Sequence, residues 1–252
     1  MIRLRWLLPL LSLAGAAQAI TIAAAADLRS AMDEIVADYR GLHPNDAVSV
    51  VYGSSGKLDA QIRQGAPYDL FFSADIAYPQ ALAKDGLAGS AAQPYAVGSL
   101  VIWSSERDVS RWTLADLAGN SIGKIAIANP EHAPYGKRAE EALRRTGVWE
   151  KVESQLVYGE NIAQTLQFAQ TGAAQVGIVA RSLVLGLDSA HRGTWAEIPD
   201  SLHSPLVQGW VITTRGGKND TARRFSEFAT GPRARRILSK FGFSAPPAPG
   251  GK

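Results

Sequence analysis

The hydrophobic positions of this chain switch repeatedly between a period of two and a period near 3.6. Ile20 to Ala24 reads as a strand, after which Leu28, Met32, Ile35 and Tyr39 recur at helical spacing. Val48, Val50 and Tyr52 alternate as in a half-buried strand, Leu58 and Ile62 mark a short helix stopped at Gly65, and Asp69 to Phe72 reads as a buried strand. This alternation predicts an α/β lobe built on a mainly parallel sheet. An extended apolar run from Tyr95 to Ser104 follows, and Lys124 to Ala128, Gln155 to Tyr158 and Gln175 to Ala180 form a second series of strand-like segments. Leu206 to Thr214 is placed to carry the chain back to the first lobe, ahead of the helical patterns Asp220 to Ala229 and Pro232 to Lys240. The predicted fold is α/β and two-lobed, with 20–98 and 207–243 in one lobe and 99–206 in the other. Two crossings between lobes make a hinge beside a cleft.

The two ends read differently. Residues 1–19 carry Arg3 and Arg5, an apolar run from Trp6 to Leu13, and a small-residue end at Ala17-Gln18-Ala19. That is the order of a secretory signal peptide, which places the mature start at Ile20 and the protein in the periplasm. The apolar run is too short for a retained bilayer anchor. Residues 244–252 are rich in Pro and Gly and read as a disordered tail. With no cysteine, neither a lipid-anchoring thiol nor a disulfide framework is available. Losing Arg3 and Arg5 lowers the formal charge from +3 to +1, so the basic balance points to no nucleic-acid partner. The densest cationic cluster, Arg233 to Arg236 with Lys240, lies on a helical pattern and reads as a solvated face.

Candidate chemistry lies in the loops. Four strand-to-helix junctions consist of small or polar residues: Ala23 to Asp27, Gly53 to Gly56, Asn129 to Gly136, and Tyr158 to Ile162. A helix N-terminus offers free N–H groups and the positive end of a dipole, so four such junctions suggest one converging anion pocket. The Ser55 hydroxyl and N–H are positioned to face the same ligand, and the Tyr135 phenol is expected beside the cleft. Catalytic motifs are missing: there is no Gly-x-Ser-x-Gly elbow, no His-Glu-x-x-His and no phosphate loop. His43, His132, His191 and His203 are scattered beside turn formers or polar neighbours, which favours surface or capping roles and no metal-cation site. A secreted hydrolase using Ser54 or Ser55 stands as the rival class, and it needs a base within about 3 Å of the hydroxyl.

Ile20 to Leu28, Tyr52 to Leu58, Gly65 to Phe71, Asn129 to Gly136 and Gly177 to Val179 closely resemble, in order and separation, the periplasmic molybdate-binding proteins of ABC-type importers. The resemblance covers essentially all of the chain after residue 19. It implies a two-lobed, type II-like periplasmic binding protein that closes on molybdate or tungstate in the interlobe cleft and hands it to an inner-membrane ABC permease. It implies a monomer, no catalysis, no cofactor, and no metal beyond the oxyanion itself. A sulfate- or phosphate-binding transport protein is the alternative within the class.

Carried over by position, Ser55 matches an oxyanion-binding serine and Ile162 a backbone N–H donor. Tyr135 falls at a further contact position, Ala180 where some members place a tyrosine, and Ser54 beside the principal serine. Asp27 stands where serine is frequent. Two unit charges about 4 Å apart repel by roughly 4 kcal/mol at an effective dielectric near 20. Asp27 is therefore expected to turn its carboxylate onto its own helix as an N-cap, leaving the N–H groups of Ala26 and Asp27 to the ligand. A carboxylate in the pocket would instead favour phosphate, which carries a proton, over molybdate.

Overall fold

The computed structural model describes residues 19–119 and 121–246, so residues 1–18 of the expected signal peptide and 247–252 of the expected tail lie outside the described residues. In chain order the main elements are β1 (Ile20–Ala25), α1 (Arg29–Leu42), β2 (Val48–Gly53), α2 (Ser55–Arg63), β3 (Leu70–Ser73), α3 (Ala77–Lys84), β4 (Gln93–Gly98) and β5 (Leu100–Ser104). They continue with β6 (Ile125–Ala128), α4 (Pro134–Arg145), α5 (Trp149–Val152), β7 (Leu156–Gly159), α6 (Ile162–Gln170), β8 (Val176–Ala180) and α7 (Arg181–Leu185). The last are β9 (Thr194–Glu197), β10 (Leu206–Ile212), α8 (Asp220–Thr230) and α9 (Pro232–Lys240).

Two five-stranded sheets result, ordered β2-β1-β3-β10-β4 and β7-β6-β8-β5-β9. In the first, β1 pairs in parallel with β2 and β3, while β10 runs antiparallel to β3 and β4. The second repeats that plan, with β6 parallel to β7 and β8, and β5 antiparallel to β8 and β9. Each sheet is therefore evenly mixed rather than mainly parallel. The reason is the crossing: the fourth strand of each sheet arrives directly from the other lobe and enters against the local direction.

The period of two shows in β1 and β3. Ile20, Ile22, Ala24, Leu70 and Phe72 join one core with Met32, Ile35 and Tyr39 of α1, Phe225 of α8 and Leu238 of α9. Ala23 and Phe71 point to the opposite core, with Leu58 and Ile62 of α2 and Leu82 of α3. A sheet buried on both faces needs apolar residues at odd and even positions, and each fully buried large side chain contributes about 1.5–3 kcal/mol.

The Tyr95 to Ser104 run proves to be two strands in two sheets, with Ser99 alone between β4 and β5. Leu206 at the return crossing pairs with Gly98 at the outgoing one, so the two hinge strands lie side by side. The tail expectation changes at its first residue, because Ser244 exchanges backbone hydrogen bonds of 2.9 and 3.0 Å with Val97 and extends the ordered core.

Candidate functional site

The parallel strands of both sheets converge on one small cavity between the lobes. The first lobe lines it with Ala25, Ala26 and Asp27 after β1, Gly53, Ser54 and Ser55 after β2, and Ala74 after β3. The second supplies Ala133, Pro134 and Tyr135 at the start of α4 and Ile162 at the start of α6. No lysine, arginine or histidine is in that lining, and Asp27 is its one acidic residue.

The donors are set by helix starts. Ser54 precedes α2 in extended conformation, so Ser55 occupies the first helical position and is 1% exposed. Its Oγ accepts the Ala74 N–H at 3.0 Å, which leaves the hydroxyl proton to point elsewhere. At α6 the Asn161 side chain accepts from Ala163 and Gln164 at 3.0 and 3.1 Å. The Ile162 N–H has no partner among the described residues and stands at the positive end of the helix. Pro134 begins α4, where its missing N–H costs nothing, and brings Tyr135 to the wall.

Asp27 departs from its expected role. It lies inside a single 3-10 turn, Ala26–Leu28, and no side-chain hydrogen bond caps that turn or α1. The carboxylate instead turns inward, where Oδ2 accepts from Gln208 Nε2 at 2.5 Å and from the Tyr135 hydroxyl at 3.0 Å. Tyr95 donates to Gln208 Oε1 at 2.5 Å, which fixes the amide so that its NH2 faces Asp27 and, at 3.2 Å, Tyr135 Oη. Burial pushes the Asp27 pKa from 3.8 up to about 6, against the smaller lowering effect of the Gln208 and Tyr135 hydrogen bonds. Burial, followed by the nearby Asp27 charge, raises Tyr135 and Tyr95 well above the usual phenol range. The Gln208 and Tyr135 hydrogen bonds, more than the Asp27 and Leu28 backbone of its own turn, hold this deep carboxylate.

The cleft rim joins the lobes. Ser54 Oγ and His132 Nδ1 are 2.9 Å apart, and the Gly56 N–H donates to the His132 carbonyl at 2.9 Å. A Cβ on Gly56 would sit 2.8 Å from that carbonyl oxygen, so the close approach requires glycine. Lys57 pairs with Glu160, Arg138 with Asp75 at 3.2 Å, and Ser182 Oγ donates to the Asp27 carbonyl at 2.8 Å. His132 thus bridges the cleft, half-buried, rather than decorating the surface, and His203 is buried.

The model of the bacterial extracellular solute-binding protein family matches residues 20–244. The chain belongs to this family. Among related solute-binding proteins, the molybdate-binding protein ModA of Azotobacter vinelandii is 35% identical over 236 residues, 93% of each chain. The ModA of Rhodobacter capsulatus is 35% identical over 238 residues, 92% of this chain and 91% of its own. A solved periplasmic molybdate-binding protein from Azotobacter vinelandii superposes with a TM-score of 0.84 at 30% identity, covering 90% of this chain and all of that one.

In this solute-binding protein the cavity wall holds Ala26, Asp27, Ser54, Ser55, Tyr135 and Ile162 together. Ala180 is absent from it: the residue ends β8, pairs with Leu100 and is fully buried behind the wall. Sequence reasoning missed Gln208, Tyr95 and Gly98. A Cβ at Gly98 would fall 2.1 Å from Tyr135 Oη and 2.9 Å from Gln208 Nε2, so glycine there opens the space for the network. The available signal was a polar Gln208 within the otherwise apolar run Leu206 to Ile212, where a buried amide demands partners.

Proposed function

We propose that this chain captures molybdate, and its close analogue tungstate, in the cavity between the lobes and presents the closed complex to an ABC permease of the inner membrane. The observation that carries the reading is a small wall of neutral donors at helix N-termini, with no fixed cation and Asp27 as its one acidic residue, seen in a chain whose relatives include molybdate-binding proteins. Such a site suits a compact tetrahedral anion, because oriented N–H and O–H dipoles replace its hydration without a competing counter-charge. The route is export to the periplasm, capture by Ser55, Ile162 and the Ala26 to Asp27 backbone, and release at the permease, with no covalent chemistry and no resident cofactor. Among the described residues no helix is long and apolar enough to cross a membrane. Calorimetric titration of the ligand-free protein with molybdate, tungstate, sulfate and phosphate tests it. Molybdate and tungstate are expected to bind far more tightly, and equal displacement by phosphate would move the assignment to phosphate transport.

One observation favours a second reading. Ser54 has a histidine at hydrogen-bond distance, and His132 Nε2 lies 3.9 Å from Glu160, a serine, base and carboxylate in line. Against a hydrolase, Glu160 also pairs with Lys57, Ser54 is 5% exposed, and the cavity beside it is small for an acyl substrate. Labelling of Ser54 by a fluorophosphonate would revive the enzyme reading.

A further inference from the structure

The cavity wall contains one buried side-chain polar atom with no partner among the described residues, Asp27 Oδ1. We propose that Asp27 Oδ1 and the captured oxyanion share one proton, so that capture by this chain is linked to proton uptake. The proposal rests on the oxyanion reading above and deepens it.

Oδ2 is already committed to Gln208 and Tyr135, and the Tyr135 proton is committed to Oδ2. Oδ1, unpartnered on a residue that lines the cavity, is the acceptor left to whatever fills it, beside an anion that offers only acceptors. Two negative acceptors in contact without a proton repel each other, in a site too dry to screen them. Placing one proton between them turns that repulsion into a charge-assisted hydrogen bond. Whether the proton is drawn on the carboxyl or on the oxyanion, the complex holds one proton more than the free dianion and the ionised carboxylate.

Among the described residues, nothing around Asp27 supplies the alternative, a cation. On α1, Arg29 lies over the Tyr52 ring, 4.5 Å from its centroid. On α7, Arg181 pairs with Glu197, and on α4, Arg138 is engaged by Asp75 and Glu141. The described side chains of α6 and β10 include no titratable group, and β4 contributes only Tyr95. The remaining groups near the site are at the rim: His132, bonded to Ser54, and Glu160, 3.9 Å from His132 Nε2 and paired with Lys57. Burial already favours the neutral carboxyl, which is consistent with a proton held at this position.

Titration calorimetry with molybdate in two buffers of different ionisation heat, from pH 5.5 to 8.5, reads the proton count directly. The wild-type protein is expected to take up close to one proton at pH 8 and only about a quarter of one at pH 5.5, with affinity falling about tenfold per pH unit above about 6. Asp27→Asn is expected to abolish the uptake and flatten the pH dependence, because its amide donates where the proton stood. His132→Gln should keep the uptake. A wild-type count of zero at pH 8, or uptake that survives Asp27→Asn, or uptake that His132→Gln removes, overturns the proposal. The wild-type count decides even if the Asn variant fails to fold. No molybdate heat at any pH, including 5.5 where most of the carboxyl already holds its proton, would instead defeat the molybdate reading.

Discussion

Tyr135 on the second lobe donates its phenolic proton to Asp27 on the first, at 3.0 Å, and the pair is sealed from solvent. A bond of this kind can exist only while the lobes are together. It also ties the stability of the closed arrangement to the ionisation of a single carboxyl.

The Tyr135→Phe variant checks that tie. The sequence alone leads to an apo protein of unchanged stability, with only ligand affinity reduced. The bond to Asp27 alters the expectation, because a buried carboxylate that loses a donor costs on the order of 1–3 kcal/mol. Apo melting temperature should fall at pH 8 and the loss should shrink at pH 5, where Asp27 is neutral; a pH-independent loss would leave only packing as the cause.

Asp27→Asn should move stability the other way. With the folded pKa at about 6, above the ordinary 3.8, the Asp27 contribution is fully present below 3.8 and is lost as the pH rises through 6. That shift corresponds to roughly 3 kcal/mol at most, at pH values above 6. Ligand-free Asp27→Asn is expected to melt higher than wild type at pH 8 and at nearly the same temperature at pH 4. Thermal scans across that range check the sign.

Ser55→Ala removes a hydroxyl donor and also orphans the Ala74 N–H. Loss of a donor to a charged ligand is worth about 1.5–3 kcal/mol, so molybdate affinity should drop tenfold or more. A smaller fall in apo stability should accompany it, since the Ala74 amide is left unsatisfied. An unchanged dissociation constant would remove Ser55 from the site.

Gly98→Ala tests the space that admits the network. The added methyl meets the Tyr135 hydroxyl and the Gln208 amide, so the phenol must withdraw. The expected result is a loss of apo stability at pH 8 at least as large as that of Tyr135→Phe, with little additional loss in the double variant. Additive losses would show that Gly98 acts elsewhere.

Much of this architecture is legible in the residues. Met32, Ile35 and Tyr39 announce the buried face of α1, and the small-residue junctions announce where the parallel strands end. The sheet mixing was not legible, because Leu100 to Ser104 reads the same whether it continues one sheet or opens another. The position of Ser55 beside the cavity follows from its place at a helix start. The orientation of Asp27 does not, since its partners Tyr135 and Gln208 lie 108 and 181 residues away. Local rules favour a cap there, and a distant amide and phenol offer it a better-satisfied alternative.

The placement of β10 between β3 and β4 governs the order of assembly during synthesis. The second lobe runs without interruption from Leu100 to Glu197 and can complete its sheet as soon as those residues emerge. The first cannot, because β3 and β4 are joined only through a strand that ends at Ile212. A nascent chain stopped short of Leu206 holds β1, β2 and β3 on one side and β4 on the other with nothing between them. The lobe that begins first in the sequence therefore finishes last. Until then its unpaired strand edges remain open to chaperones, proteases and aggregation.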